Sequence, residues 1–155
     1  MVCRDGLMVF KETEDLELKK STSELKESII SYLKDKGLSV KDYGTYSEES
    51  VDYPDFAHPV AKGIQDGTYD FGILICGSAN GINMTANKYH AIRSAICWKE
   101  EIAELARLHN NANIIALPAR YIGEEEAKKA VDKFINTSFE GGRHQKRVDK
   151  INKLC

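Results

Sequence analysis

The stretch from Tyr69 to Lys88 places the strongest constraint on the fold of this chain. An uninterrupted apolar run, Phe71 to Cys76, is followed by small and polar residues, 77–81, and then by a helical stretch from Ile82 to Lys88. An apolar run bounded by turn residues indicates a strand buried on both faces. Because such a loop points backbone N–H groups at the space above it, the stretch predicts a site for an anion or oxyanion.

Strands and helices are predicted to alternate along the rest of the chain. A capping pattern at Ser21 and Glu24 opens a helix that Gly37 ends. The further predicted strands are 38–40, 92–98 and 112–117, and the further helices are 54–66, 100–108, 124–136 and a last one after Gly141–Gly142. This alternation favours a doubly wound parallel sheet with helices on both faces, in a single domain over residues 1–155.

Composition and charge argue against several classes of function. The chain has 155 residues, a formal net charge of -2 and a sequence pI near 6.1, which argues against nucleic-acid or membrane-surface binding. No apolar run is long enough to span a membrane. The four cysteines are widely spaced, which predicts reduced thiols and a cytoplasmic location, and the four histidines are scattered, so no metal site is expected.

Two residues are candidates for proton transfer, and each has a plain structural alternative. Cys76 would lie at the carboxyl end of its strand, where N–H groups could depress the pKa of a thiol, or it could be a small buried hydrophobe. His109 ends a predicted helix, where a histidine acts as a cap or as a general acid or base. Asp52 precedes a helix, and side-chain capping is the favoured interpretation.

Three arginines are candidates for binding phosphate. Arg143 and Arg147 stand four residues apart, so they share one helix face, although the helix is basic all round. Arg120 follows a predicted strand and would lie on the same rim as Cys76. We expect that rim to combine the thiol, the loop, the histidine and the arginines, a set that suits a small phosphorylated substrate and proton transfer next to a carbonyl.

Longer motifs resemble a known family. The stretches YGTYSEESVDYPDFA, GILICGSANGINMTANK, IRSAIC, ARLHNNAN and FEGGRHQKRVDKI occur in this order. From about Leu25 onward, the chain resembles ribose-5-phosphate isomerase B, of the RpiB/LacAB sugar-phosphate isomerases. The resemblance implies a homodimer with sites at the interface, no metal or organic cofactor, and interconversion of ribose 5-phosphate and ribulose 5-phosphate through an enediolate.

The resemblance also implies roles for individual residues. Cys76 would be the base that moves a proton between C1 and C2, and His109 would open the sugar ring. Ser78 takes the family's hydroxyl position in the loop. Binding roles fall on Gly77, Ser78, Asn80 and Gly81 for the enediolate, on Asn110 beside the histidine, on Arg143 and Arg147 for the phosphate, with Arg120 as a further candidate, and on Tyr46 at the pocket border.

The N-terminal segment departs from the family. Counting back without gaps from Leu25, the family's Asp-His pair falls on Lys19 and Lys20, and residues 1–22 contain no convincing first strand, although 7–10 or 16–20 could form one. The chain could be divergent, altered at its start, or built on a degenerate strand. The alternatives to a ribose 5-phosphate isomerase are therefore a non-catalytic sugar-phosphate-binding relative and a hexose 6-phosphate isomerase of the same family.

Overall fold

The described residues form one parallel sheet. The computed structural model describes residues 7–11, 22–44, 51–151 and 153. The five strands are β1 (Leu7–Lys11), β2 (Val40–Asp42), β3 (Phe71–Cys76), β4 (Ser94–Ile96) and β5 (Ile114–Pro118). Their order is β2-β1-β3-β5-β4, and every neighbouring pair is parallel. The predicted doubly wound parallel sheet is confirmed.

Helices cover both faces of this sheet. They are α1 (Thr22–Asp35), α2 (Tyr53–Gln65), α3 (Asn80–Ala86), α4 (Glu100–Asn110), α5 (Glu124–Asn136) and α6 (Arg143–Ile151). Alternate residues of β3 point to opposite faces. Ile73 and Ile75 pack in a cluster with α1, α4 and α5, whereas Leu74 and Cys76 pack in a second cluster with α2 and α3. The central strands are therefore buried on both sides, as their continuous apolar sequence predicts.

The first strand lies inside the sheet rather than at its margin. β1 pairs with β2 on one side and with β3 on the other, so the expectation that the chain has no convincing first strand is wrong. Of the two candidate segments, 7–10 corresponds to this strand. Lys19, Lys20, Ser21 and Tyr46 lie outside the described residues, so the departure from the Asp-His motif remains a sequence observation.

Local differences from the predicted elements have simple causes. β2 begins at Val40 rather than Leu38, because the chain first closes a turn in which the Leu38 amide donates to the Leu33 carbonyl, 3.1 Å away. Asp52 does occupy the N-cap of α2, but its side chain makes no capping hydrogen bond, so that interpretation is wrong. Within the described residues, no helix has the length and apolar character needed to cross a bilayer.

Candidate active site

Cys76 is the last residue of β3 and lies at the carboxyl edge of the sheet. It pairs with Pro118 across the ladder and is 5% exposed, within the apolar cluster beneath α2 and α3. In open α/β sheets, ligands bind beyond the carboxyl ends of the strands. The position is therefore the one that the sequence predicts, and the role of the thiol as a base stays a prediction.

The loop after Cys76, residues 77–81, turns sharply into α3. Ala79 has a φ of 62°, a left-handed conformation that costs a non-glycine residue about 1–3 kcal/mol. Ser78 is exposed, and its Oγ accepts from the Asn80 amide at 3.4 Å. A strained backbone at the end of a buried strand is characteristic of functional loops. We refer to residues 76–81 as the cysteine loop.

Two neighbours close over the cysteine loop. A Cβ atom on Gly81 would lie 2.4 Å from the Tyr53 ring, so the tyrosine packs directly against the glycine backbone. A Cβ atom on Gly77 would lie 3.1 Å from the Arg120 Nε. The Arg120 guanidinium therefore lies beside Cys76 at the carboxyl edge, as predicted. Sequence reasoning missed Tyr53, and its only signal was an aromatic residue at a helix start.

His109 lies at the other edge of the sheet. It is the penultimate residue of α4, and Asn110 is only four residues before Ile114, where β5 begins. Since β5 is parallel to β3 and Ile114 pairs with Gly72, the end of α4 adjoins the amino ends of both strands. With about 3.3 Å per residue along β3, the two edges are about 16 Å apart. The expectation that His109 and Cys76 share one rim within the chain is wrong.

Arg143 and Arg147 lie with His109, away from Cys76. The Glu140 amide donates to the Leu108 carbonyl at 3.1 Å, which ties the chain before α6 to the last turn of α4. Gly141 and Gly142 then turn the chain with φ values of 71° and 53°, a conformation that glycine adopts without steric cost. We refer to the resulting group as the histidine–arginine cluster. Its members are His109, Glu140, Arg143, His144 and Arg147.

His144 is the centre of the histidine–arginine cluster. Its ring stacks on that of His109, with centroids 4.2 Å apart and planes within 9° of parallel. Arg147 Nη1 lies 3.3 Å from its Nδ1, and Arg143 Nε lies 3.4 Å from its Nε2. A Glu140 carboxylate oxygen lies 3.5 Å from the His144 Nε2 and 3.8 Å from the His109 Nε2. Sequence reasoning left His144 and Glu140 out of the site.

The charges in this cluster favour an anion over a cation. The candidate metal ligands among the described residues are His109, Glu140 and His144, whose ligating atoms lie within 4.8 Å of one another. The expectation that the histidines are scattered is therefore wrong for two of them. However, a guanidinium group lies beside each ring nitrogen of His144, so a divalent cation would meet two positive charges. A phosphate group would instead complement them.

Comparison with known proteins agrees with this architecture. Residues 18–151 match the sequence profile of a family described as Ribose/Galactose Isomerase. The chain is 43% identical to ribose-5-phosphate isomerase B of Escherichia coli (strain K12) over 130 residues, which is 84% of this chain and 87% of that protein. The chain belongs to the Ribose/Galactose Isomerase family. It is an isomerase of that family, and its fold is the one seen in solved ribose-5-phosphate isomerase B structures.

The structure of this isomerase is similar to the structures of two solved relatives. A ribose 5-phosphate isomerase from Thermotoga maritima matches with a TM-score of 0.88 and 46% identity, over 97% of this chain and 98% of that one. Ribose-5-phosphate isomerase B from Mycoplasma genitalium, solved with bound ribulose-5-phosphate, matches with a TM-score of 0.84 and 39% identity, over 96% of each chain. The likeness extends over almost the whole isomerase.

Proposed function

We propose that this isomerase interconverts ribose 5-phosphate and ribulose 5-phosphate. The observation that carries the proposal is the relative from Mycoplasma genitalium, which holds ribulose-5-phosphate and matches 96% of this chain. The two parts of the site support it, because one offers a thiol beside a strained loop and the other offers paired guanidinium groups. The reaction would take place in the cytoplasm, where thiols remain reduced.

In the proposed mechanism, His109 opens the furanose ring by moving the proton of the C1 hydroxyl to the ring oxygen. The Cys76 thiolate then takes the proton from C2, and the electron pair of that bond forms an enediolate. The proton of the C2 hydroxyl passes to O1, and return of the abstracted proton to C1 then leaves the carbonyl at C2. The loop residues Gly77, Ser78, Asn80 and Gly81 surround the oxygen on which negative charge develops. Fixed hydrogen-bond donors at that oxygen would contribute most to the rate, since losing one such donor typically costs about 100- to 1000-fold in rate.

The phosphate would be bound at the opposite end of the substrate. Arg143 and Arg147 both present exposed side chains beside the ring of His144. Each guanidinium can offer a pair of N–H donors to phosphate oxygens. We propose that Asn110, next to His109, binds a sugar hydroxyl, and that Arg120 at the cysteine loop contributes to substrate binding.

We further propose that a second copy of this chain completes each site. Cys76 and His109 lie at edges of the sheet about 16 Å apart, which is too far for both to act on one five-carbon sugar. In a two-fold symmetric dimer, the same pair of surfaces meets twice. The cysteine loop of one protomer would then face the histidine–arginine cluster of the other, giving two identical sites.

Exposed apolar side chains beside both parts of the site support this dimer. Met84 is 63% exposed and lies one turn after Asn80 on α3. Leu105 is 42% exposed and lies one turn before His109 on α4. Residues four apart share a helix face, so each apolar side chain flanks one part of the site. A partner that brought the two parts together would also cover these side chains.

The proposal is tested by measuring ketose formation from ribose 5-phosphate by the purified chain. Cys76→Ala should abolish turnover, whereas Cys97→Ala is the matched control, since Cys97 is a fully buried thiol in the other apolar cluster. A folded wild-type chain that binds ribose 5-phosphate without turnover would instead indicate a non-catalytic relative. Faster turnover of a hexose 6-phosphate than of ribose 5-phosphate would overturn the substrate assignment.

A further inference from the structure

His144 occupies an unusual position for a histidine on a basic helix. Most side chains of α6 are exposed, but His144 is 4% exposed, and its only companion among the buried polar residues of the described chain is Lys26. We propose that His144 is a positioning residue that couples the phosphate-binding arginines to the ring-opening histidine. This inference rests on the proposed function, and it assigns a role to a residue outside the predicted site.

The hydrogen bonds of the buried ring indicate what it does for the arginines. A neutral imidazole has one N–H donor and one acceptor nitrogen. Nε2 accepts from the Arg143 Nε at 3.4 Å, so the proton of the neutral ring lies on Nδ1. One N–H of Arg143 is thereby held, which limits the orientations of a guanidinium that is otherwise exposed. Preorganisation of this kind lowers the entropy lost when phosphate binds.

The stacked geometry indicates what the ring does for His109. Parallel rings with centroids 4.2 Å apart leave the His109 imidazole little freedom to rotate. Burial lowers the pKa of His144, as do His109, Arg143 and Arg147, whereas Glu140 acts in the opposite direction. His144 is therefore neutral at pH 7, so a proton taken up by His109 does not face a second charged ring. His109 can then exchange protons while its plane stays fixed.

The chain path places His144 for both tasks at once. The His144 amide donates to the Gly141 carbonyl at 2.9 Å, in the turn that follows the contact of Glu140 with α4. Arg143 precedes the histidine by one residue, and Arg147 follows it by three, so both arginines reach its ring. A substrate phosphate that moves the arginines would consequently act on the ring that packs against His109.

Two substitutions separate the two tasks. His144→Phe keeps an aromatic ring to stack on His109 but removes the acceptor for Arg143. We expect about a tenfold rise in the dissociation constant of inorganic phosphate and in KM, with kcat nearly unchanged. His144→Asn keeps an acceptor but removes the stacked ring. We expect its kcat for ribose 5-phosphate to fall by about tenfold or more, with a smaller change in KM.

Double-mutant cycles show whether these effects pass through the named partners. In an Arg143→Gln background, His144→Phe should no longer weaken phosphate binding. In a His109→Asn background, His144→Asn should no longer lower kcat. Lys146→Ala, an exposed change on the same helix, is the control and should leave both constants at their wild-type values. Fully additive losses in both cycles would mean that His144 only stabilises α6, and the proposal would be overturned.

Phosphate binding measured by calorimetry separates this inference from the proposed function. A wild-type chain that binds inorganic phosphate but does not isomerise ribose 5-phosphate would contradict the proposed function. If His144→Phe binds phosphate as tightly as the wild-type chain, the positioning role fails, whatever the substrate.

Discussion

The guanidinium carbon of Arg107 lies 4.8 Å from the centre of the Phe71 ring, at the first residue of β3. The same side chain donates from Nε to the Thr137 carbonyl at 3.2 Å and from Nη1 to the Asn111 side chain at 3.0 Å. These contacts hold the end of α4, two residues from His109, against the amino edge of the sheet. The separation of His109 from Cys76 is therefore built into the packing of the core.

Mixing two inactive variants should restore activity. Cys76→Ala and His109→Asn each remove one part of every site in a dimer of identical chains. In a heterodimer of the two variants, one site loses both groups and the other keeps both. If protomers exchange freely, half of the dimers are mixed, so about a quarter of wild-type activity should return. Turnover is measured after the variants are unfolded together and refolded, and no recovery would contradict the shared site.

His109→Asn should affect cyclic and open-chain substrates differently. Ribose 5-phosphate closes into a furanose ring, whereas an aldotetrose 4-phosphate has its 4-hydroxyl esterified and cannot. Loss of a general acid–base group typically lowers a rate by about 100- to 10,000-fold. We expect a loss of that order in kcat for ribose 5-phosphate and little change for the tetrose phosphate. Equal losses for both would assign His109 to the isomerisation step instead.

Cys97 should resist alkylation in the folded chain. Burial raises the pKa of its thiol to about 12, so at pH 8 only about one molecule in ten thousand carries the reactive thiolate there. Iodoacetamide labelling of the Cys97 peptide, followed by mass spectrometry, should be negligible under native conditions. Labelling in denaturant is the control. Equal rates in the two conditions would show that the strand β4 opens readily.

Gly81→Ala should destabilise the protein through Tyr53. The added methyl group would lie 2.4 Å from a Tyr53 ring carbon, so one of the two must move. Overpacking of this kind typically costs about 1–3 kcal/mol. Urea unfolding should show such a loss for the single variant and a smaller one when Tyr53→Ala is already present. Additive losses in the double variant would exclude the contact.

His144 should make the folded protein less stable as the pH falls. Its folded-state pKa is lowered from the usual 6.5, chiefly by burial, so below that pH the unfolded chain takes up the proton more readily. The groups that face its ring are His109, Glu140, Arg143 and Arg147. His144→Phe should reduce the proton uptake on unfolding at pH values below about 6.5 by up to about one proton. An unchanged pH dependence, with Lys146→Ala as the control, would contradict this.

The sequence predicts strands and helices better than it predicts which groups meet. β3 and α5 match their predicted bounds, because one is a continuous apolar run and the other opens with three acidic residues in its first turn. Arg120 was placed correctly because a residue after a parallel strand must lie at the carboxyl edge. The same logic applied to His109 places a helix end that precedes a strand at the amino edge. The prediction that Arg120 and His109 share one rim overlooked the difference between a residue that follows a strand and a residue that ends a helix before a strand.

Other parts of the site depend on packing that no local pattern reveals. The stacking of His144 on His109 joins residues 35 positions apart through the contact of Glu140 with α4. Likewise, Tyr53 reaches Gly81 from the start of another helix. Lys19, Lys20 and Tyr46 lie outside the described residues. The absence of the Asp-His pair is therefore an observation on the sequence alone.

The strand order also determines when this protein can fold during its synthesis. Leu7 pairs with Val40 on one side and with Phe71 on the other, so β1 has both neighbours only after β3 has left the ribosome. β4 then waits for a later strand, since its ladder partner is β5. Pairing between such distant segments is slow to form. A nascent chain that stops before Ile114 therefore carries β4 without a neighbour, and only the emergence of β5 lets the sheet close.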